Sequence, residues 1–189
     1  MIGLGRSIAL LLTLAVTVLG TASTAHCKTL SGLFQKAGIT PSQRPREAYS
    51  LALPDLDGNE VRLEDLRGKI VILNIWATWC APCREEMPSI ERLHAHFKGR
   101  DLTVLAVSVD MARAELIKAF VEEHNYTFTV LHDPRGNIMK WFGVRLIPVT
   151  YIIDKSGKVA GKAVGLRDWN SENMIRLFEE LLGDPDDGP

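Results

Sequence analysis

A chain of 189 residues, 46% of them apolar, can bury one proper hydrophobic core and has no need of covalent staples to hold it. Its 22 basic and 23 acidic residues nearly cancel, so it carries no electrostatic footprint for nucleic acid. Three cysteines are too few for a disulfide-framework scaffold; Cys80 and Cys83 stand three apart, whereas Cys27 stands alone far upstream.

At the start, Arg6 precedes an apolar run from Ser7 to Leu19, and small residues follow as far as Ala25. This is the outline of a signal peptide over residues 1–25, cut after Ala25. The run is shorter than the roughly 20 residues of a membrane span. Export to the periplasm or another extracytoplasmic compartment is therefore expected, the alternative being an uncleaved anchor with Arg6 on the cytoplasmic side. The residues before Cys27, Thr24-Ala25-His26, lack the Leu and the Gly or Ala of a lipobox. Residues 26–50 carry Gly32, Gly38, Pro41 and Pro45 and read as a spacer with one short helix around Ser31 to Ala37.

The domain proper is expected over residues 51–182. Leu51 to Leu63 reads as a hairpin turning at Asp57-Gly58, with Pro54 confining its strand to an edge. Lys69 to Trp76 is a nearly unbroken Ile- and Val-rich run, the pattern of a central strand buried on both faces. From Pro82 the spacing turns helical, with Met87, Ile90, Leu93 and Phe97 on one face, so the cysteine pair falls at a strand-to-helix junction.

A second buried strand is predicted over Leu102–Val109, followed by a helix over Ala114–Glu123 with Leu116, Ile117, Phe120 and Val121 on its apolar face. Phe128–Leu131 makes a third strand and Asn137–Phe142 a short helix. Val149–Ile153 and Lys158–Val164 form a hairpin about Asp154-Lys155-Ser156-Gly157. A helix over Ser171–Leu182, with Met174, Ile175, Leu177, Phe178 and Leu181 inward, closes the domain, and a disordered tail is expected over residues 183–189. The sum is an α/β fold with a mixed sheet of about five strands and helices on both faces.

Disulfide exchange proceeds through a thiolate, which needs access and a positive local potential. A helix N-terminus supplies both: Cys80 falls just ahead of the helix, where free N–H groups and the macrodipole favour a negative sulfur. Cys83 lies one turn inward, placed to attack a mixed disulfide formed by Cys80, and Pro82 fits the first turn, where its missing N–H costs nothing. A zinc half-site has the same spacing. It would need a second pair, and His94 and His96 point to different faces while His124 and His132 are isolated, so neither metal nor cofactor is expected.

Trp79-Cys80-Ala81-Pro82-Cys83, followed by Arg84-Glu85-Glu86-Met87-Pro88, resembles the exported thioredoxin-like disulfide reductases of the TlpA and ResA type. The resemblance runs from Leu51 to Leu182 and includes the Asp57-Gly58 hairpin, Leu66-Arg67-Gly68-Lys69 and Ile147-Pro148. It implies a thioredoxin-like fold and a cis Ile147–Pro148 bond facing the cysteines, with the Ile147 backbone free to pair with an extended substrate. It further implies that Glu86 is an acid-base group serving Cys83, and that Trp79 borders the substrate surface. Asn74 stands where thioredoxins carry a buried Asp, which places more of any proton transfer on Glu86. The implied partners are disulfide-bearing exported proteins, apocytochrome c among them, and a membrane-embedded thiol relay that supplies electrons.

Two other readings stand beside it. A peroxidase of the peroxiredoxin-like superfamily would place a Thr three residues before the cysteine, where this chain has Ala77, with Thr78 one residue closer. A non-catalytic adaptor would use the same groove without needing either sulfur.

Overall fold

A computed structural model describes residues 30–183 except 45 and 49. The expected signal segment, Cys27 and the tail from residue 184 onward lie outside the described residues.

The centre of the molecule is β4 (Ile70–Trp76), every residue of which is buried. It pairs in parallel with β5 (Leu102–Ser108) and antiparallel with β7 (Val149–Ile153). β6 (Thr129–His132) extends the sheet beyond β5, and β8 (Val159–Val164) extends it beyond β7. A two-residue strand, β1 (Thr40–Pro41), closes the β8 edge, giving a six-stranded order β1-β8-β7-β4-β5-β6.

β1 is the strand beyond the five expected, and it comes from the presumed spacer. Helical residues 30–36 (α1) and β1 belong to the packed domain: Phe34 and Ile39 are buried in its core, and Thr40 pairs with Lys162. Gly161 of β8 makes the approach possible, because a Cβ there would stand 2.7 Å from the Phe34 ring and 2.8 Å from the Ile39 side chain. Glycine and proline punctuation in residues 26–50 masked this contribution, since three buried side chains, Phe34, Ala37 and Ile39, and two sheet residues leave no sustained periodic pattern.

α2 (Ala81–His96) and α3 (Ala114–Glu123) each connect parallel neighbours, and right-handed crossovers put both on one face of the sheet. Asn74 and Trp76, two apart on β4, point to that face. Asn74 bonds Glu86 of α2, and the Trp76 ring lies 5.7 Å from that of Phe120 on α3. α5 (Glu172–Leu182) joins the same layer, where Phe178 meets Phe97 edge to face. On the opposite face Tyr151, the register partner of Leu73, donates its hydroxyl to the Phe142 carbonyl at the end of α4 (Asn137–Trp141).

Leu116 departs from the expected apolar face of α3: it is 60% exposed, while Ile117 and Val121 carry the packing. Adjacent helical residues point about 100° apart, so Leu116 and Ile117 cannot both face the sheet squarely. The predicted hairpin forms as β2 (Ala52–Pro54) and β3 (Glu60–Arg62). Its turn places Gly58 at φ 89°, and the hairpin is tied to the main sheet by an Asp55–Leu131 bridge and to α3 by a Lys118–Asp57 ion pair.

Candidate active site

The site forms at the carboxyl end of β4, in the middle of the sheet, where an open α/β sheet presents its functional loops. β4 delivers Ala77-Thr78-Trp79 to the start of α2, and Cys80 is the N-cap of that helix. Cys80 and Cys83 are joined as a disulfide, with S–S 2.10 Å and Cα–Cα 5.3 Å. The Cys83 backbone N–H donates to Cys80 Sγ at 3.3 Å, the helix-terminal donor expected to stabilise a thiolate at that sulfur. Pro82 occupies the first turn without loss of a helical bond.

The two sulfurs have different surroundings. Cys83 is wholly enclosed, while Cys80 is 6% exposed and borders an open groove of about 830 Å³. The exposure expected of Cys80 is thus confined to one side, because in the disulfide state its sulfur is shielded by the start of α2 and by Ile147, whose carbonyl oxygen lies 3.9 Å away. Trp79 stands beside it on the groove wall, 68% exposed, and is no part of the core.

The Ile147–Pro148 bond is cis. Its location follows from register: β7 runs antiparallel to β4 with Val149 opposite Ile75, so the residues just before Val149 arrive beside the chain leaving β4. The β4 ladder ends at that pair, which leaves the Ile147 main chain outside it.

Beneath the cysteines lies a buried polar cluster. Glu86, one turn beyond Cys83 on α2, is 1% exposed. Its Oε1 accepts from Asn74 Nδ2 at 2.8 Å, and its Oε2 accepts from the Arg167 backbone N–H at 3.2 Å and from Trp169 Nε1 at 3.3 Å. Burial raises the carboxyl pKa to about 7 against the opposing pull of these donors and of the Arg167 charge. Asn74 Nδ2 also donates to Thr150 Oγ1 at 2.9 Å, tying β4, β7 and α2 together at this point. The donors from Arg167 and Trp169 are invisible in the sequence because more than eighty residues separate them from Glu86.

A second cluster missed by sequence reading holds the approach to Cys80. Asp110, buried just past β5, accepts from the Thr78 backbone N–H at 2.9 Å, from Thr78 Oγ1 at 2.6 Å and from Ser108 Oγ at 2.7 Å. The signal available was a lone acid terminating an apolar strand beside the end of β4. Among the described residues no group of three or more His, Cys, Asp or Glu is placed to hold a metal ion.

A mixed sheet flanked by helices, with a dithiol pair bonded at the head of a helix, defines a thioredoxin-fold thiol:disulfide oxidoreductase whose redox centre is the Cys80–Cys83 pair itself. The chain belongs to the AhpC/TSA family, which it matches over residues 45–162. It is 37% identical over 137 residues to the thiol-disulfide oxidoreductase ResA of Bacillus thuringiensis subsp. konkukian, covering 72% of this chain and 75% of that protein. The ResA of Geobacillus thermodenitrificans is 40% identical over 112 residues, covering 59% and 64%. Among solved structures, a thioredoxin-family thiol:disulfide interchange protein from Chlorobium tepidum superposes with TM-score 0.64 at 28% identity, covering 75% of this chain and 99% of that one. A DsbF homologue from Corynebacterium diphtheriae gives TM-score 0.66 at 25% identity, covering 76% and 93%.

Proposed function

We propose that this oxidoreductase works as a reductase of disulfides in exported proteins. The Cys80 thiolate attacks a substrate disulfide, forming a Cys80–substrate bond and expelling one substrate thiolate. Cys83 then attacks Cys80 Sγ, closing Cys80–Cys83 and releasing the second substrate thiolate, so two electrons pass from the dithiol to the substrate. Glu86, whose carboxyl titrates near neutrality, takes the Cys83 proton in its ionised form during this second step, and Trp79, Ile147 and Pro148 border the bound polypeptide. A membrane-embedded thiol relay returns the pair to the reduced state.

The observation that carries this order is the asymmetry of access: Cys80 opens onto the groove, whereas Cys83 is enclosed behind it. The reducing direction is supported by Ala81-Pro82, which brings neither charge nor side-chain donor to the Cys80 thiolate. Export is supported by the leader-like residues 1–25. A peroxidase reading finds no support at the site, since Ala77 has no hydroxyl and Thr78 gives its hydroxyl to Asp110.

Equilibration with glutathione redox buffers tests the direction. The expected potential lies nearer the roughly −270 mV of thioredoxin than the roughly −120 mV of DsbA. A value at the oxidising end of that range refutes a reductase. An adaptor role is tested in cells by the C80S/C83S double variant, where full retained function favours it and complete loss excludes it.

A further inference from the structure

The groove beside Cys80 has a chemical character of its own. Its rim exposes three large apolar side chains, Trp79 at 68%, Met111 at 90% and Leu146 at 73%. A monomer surface rarely leaves apolar groups clustered in this way unless something binds there. The charged residues among its lining are Arg135 and Arg145, both exposed. Among the described residues no carboxylate forms an ion pair with either arginine. In a chain whose acids and bases nearly balance, the groove surface carries two cations and no anion, because the neighbouring carboxylates of Asp110 and Asp133 are buried behind it on donors of the protein's own.

We infer that this groove selects its protein substrates by charge, taking polypeptide segments in which acidic side chains flank the disulfide to be reduced. The apolar rim offers area to any unfolded segment, so it supplies contact with little discrimination. The two guanidinium groups supply discrimination: they can donate to carboxylates, bidentately where the geometry permits, and they repel lysine and arginine. Charges on the rim of a contact act mainly on the association rate and on its salt dependence, and they suppress wrong partners. Preference should therefore appear in the rate of the first exchange step, before Cys83 takes part. The inference rests on the reading that Cys80 attacks polypeptide disulfides.

The experiment uses two disulfide-bonded peptides identical except that Glu on both sides of the cysteine in one is replaced by Lys in the other. The second-order rate of their reduction by the reduced protein is measured at low and high salt. The expected ratio is about threefold to tenfold in favour of the acidic peptide at low salt, shrinking towards unity at high salt. R135K/R145K should keep the preference, R135Q/R145Q should lose it, and R135E/R145E should invert it, an outcome that mere damage to the fold cannot produce. Equal rates for the two peptides with the unaltered protein, or a preference unmoved by charge reversal, overturn the inference while leaving the reductase reading intact. Failure to reduce either peptide overturns that reading and the inference with it.

Discussion

The side-chain amide of Asn74 donates to the Glu86 carboxylate at 2.8 Å, while its own carbonyl oxygen is buried without a partner among the described residues. Asn74 is thus spent on holding Glu86 and Thr150 in place, at the cost of one of its own polar atoms. That arrangement makes Glu86 the titrating group of the buried cluster beneath Cys83.

Glu86 is expected to set a pH dependence of both rate and stability. With its pKa raised to about 7, the rate of closing Cys80–Cys83 should rise through that pH as the carboxylate becomes available, and Glu86→Gln should remove this inflection. The sign for stability is opposite. A carboxyl whose folded pKa lies above its unfolded value of 4.5 binds its proton more tightly when folded, so its contribution is complete below about pH 4.5 and is lost as pH rises through about 7. The loss amounts to at most about 3 kcal/mol. Urea unfolding of the two proteins at pH 5 and pH 8 checks it: the unaltered chain should weaken more than Glu86→Gln, and parallel losses would show that Glu86 does not titrate in this range.

Asp110 is expected to act as a positioning residue for Cys80. It gathers the Thr78 N–H, the Thr78 hydroxyl and the Ser108 hydroxyl in a buried setting, so Asp110→Ala strands three donors and should cost about 2–4 kcal/mol. It should also change the pH profile of Cys80 alkylation, because Thr78 fixes the loop that sets the sulfur at the helix start. Denaturation curves and iodoacetamide rates across pH read the two effects. A change in stability with an unaltered alkylation profile would reduce Asp110 to a purely structural role.

Gly161→Ala tests whether residues 30–44 are part of the domain. The added methyl meets the Phe34 ring and Ile39 at less than 3 Å, which should destabilise by about 1–3 kcal/mol. Combining it with Phe34→Ala should recover part of that loss relative to the sum of the single changes, as coupled neighbours do. Strict additivity in thermal unfolding would mean that α1 does not press on β8.

The course of the chain was legible wherever burial imposes a period. β4, α2, α3, β7 and α5 stand within one or two residues of their predicted bounds, because each carries a continuous apolar run or a helical stripe. The cysteine pair and its helix cap were legible for a different reason: the motif is local, contained in residues 80–83 at the start of α2. The short β1 strand was not legible, since two residues generate no pattern. Nor were the partners of Glu86 and Thr78. Arg167, Trp169 and Asp110 reach the site through tertiary packing; nothing in the neighbourhoods of Arg167 and Trp169 distinguishes them from ordinary loop residues, and Asp110 shows only as an acid closing an apolar strand. The Ile147–Pro148 bond was anticipated through family resemblance, and register places it beside the end of β4.

The most direct test of the central claim is mass spectrometry of the covalent adduct formed when a single cysteine is left to react with a disulfide-bonded polypeptide. With Cys83→Ser, an accumulating one-to-one mixed disulfide through Cys80 is expected, because the attacking sulfur remains and the resolving one is gone. With Cys80→Ser, the enclosed Cys83 should give no adduct on the same timescale. Comparable trapping through Cys83, or none through Cys80, would contradict an ordered exchange led by Cys80.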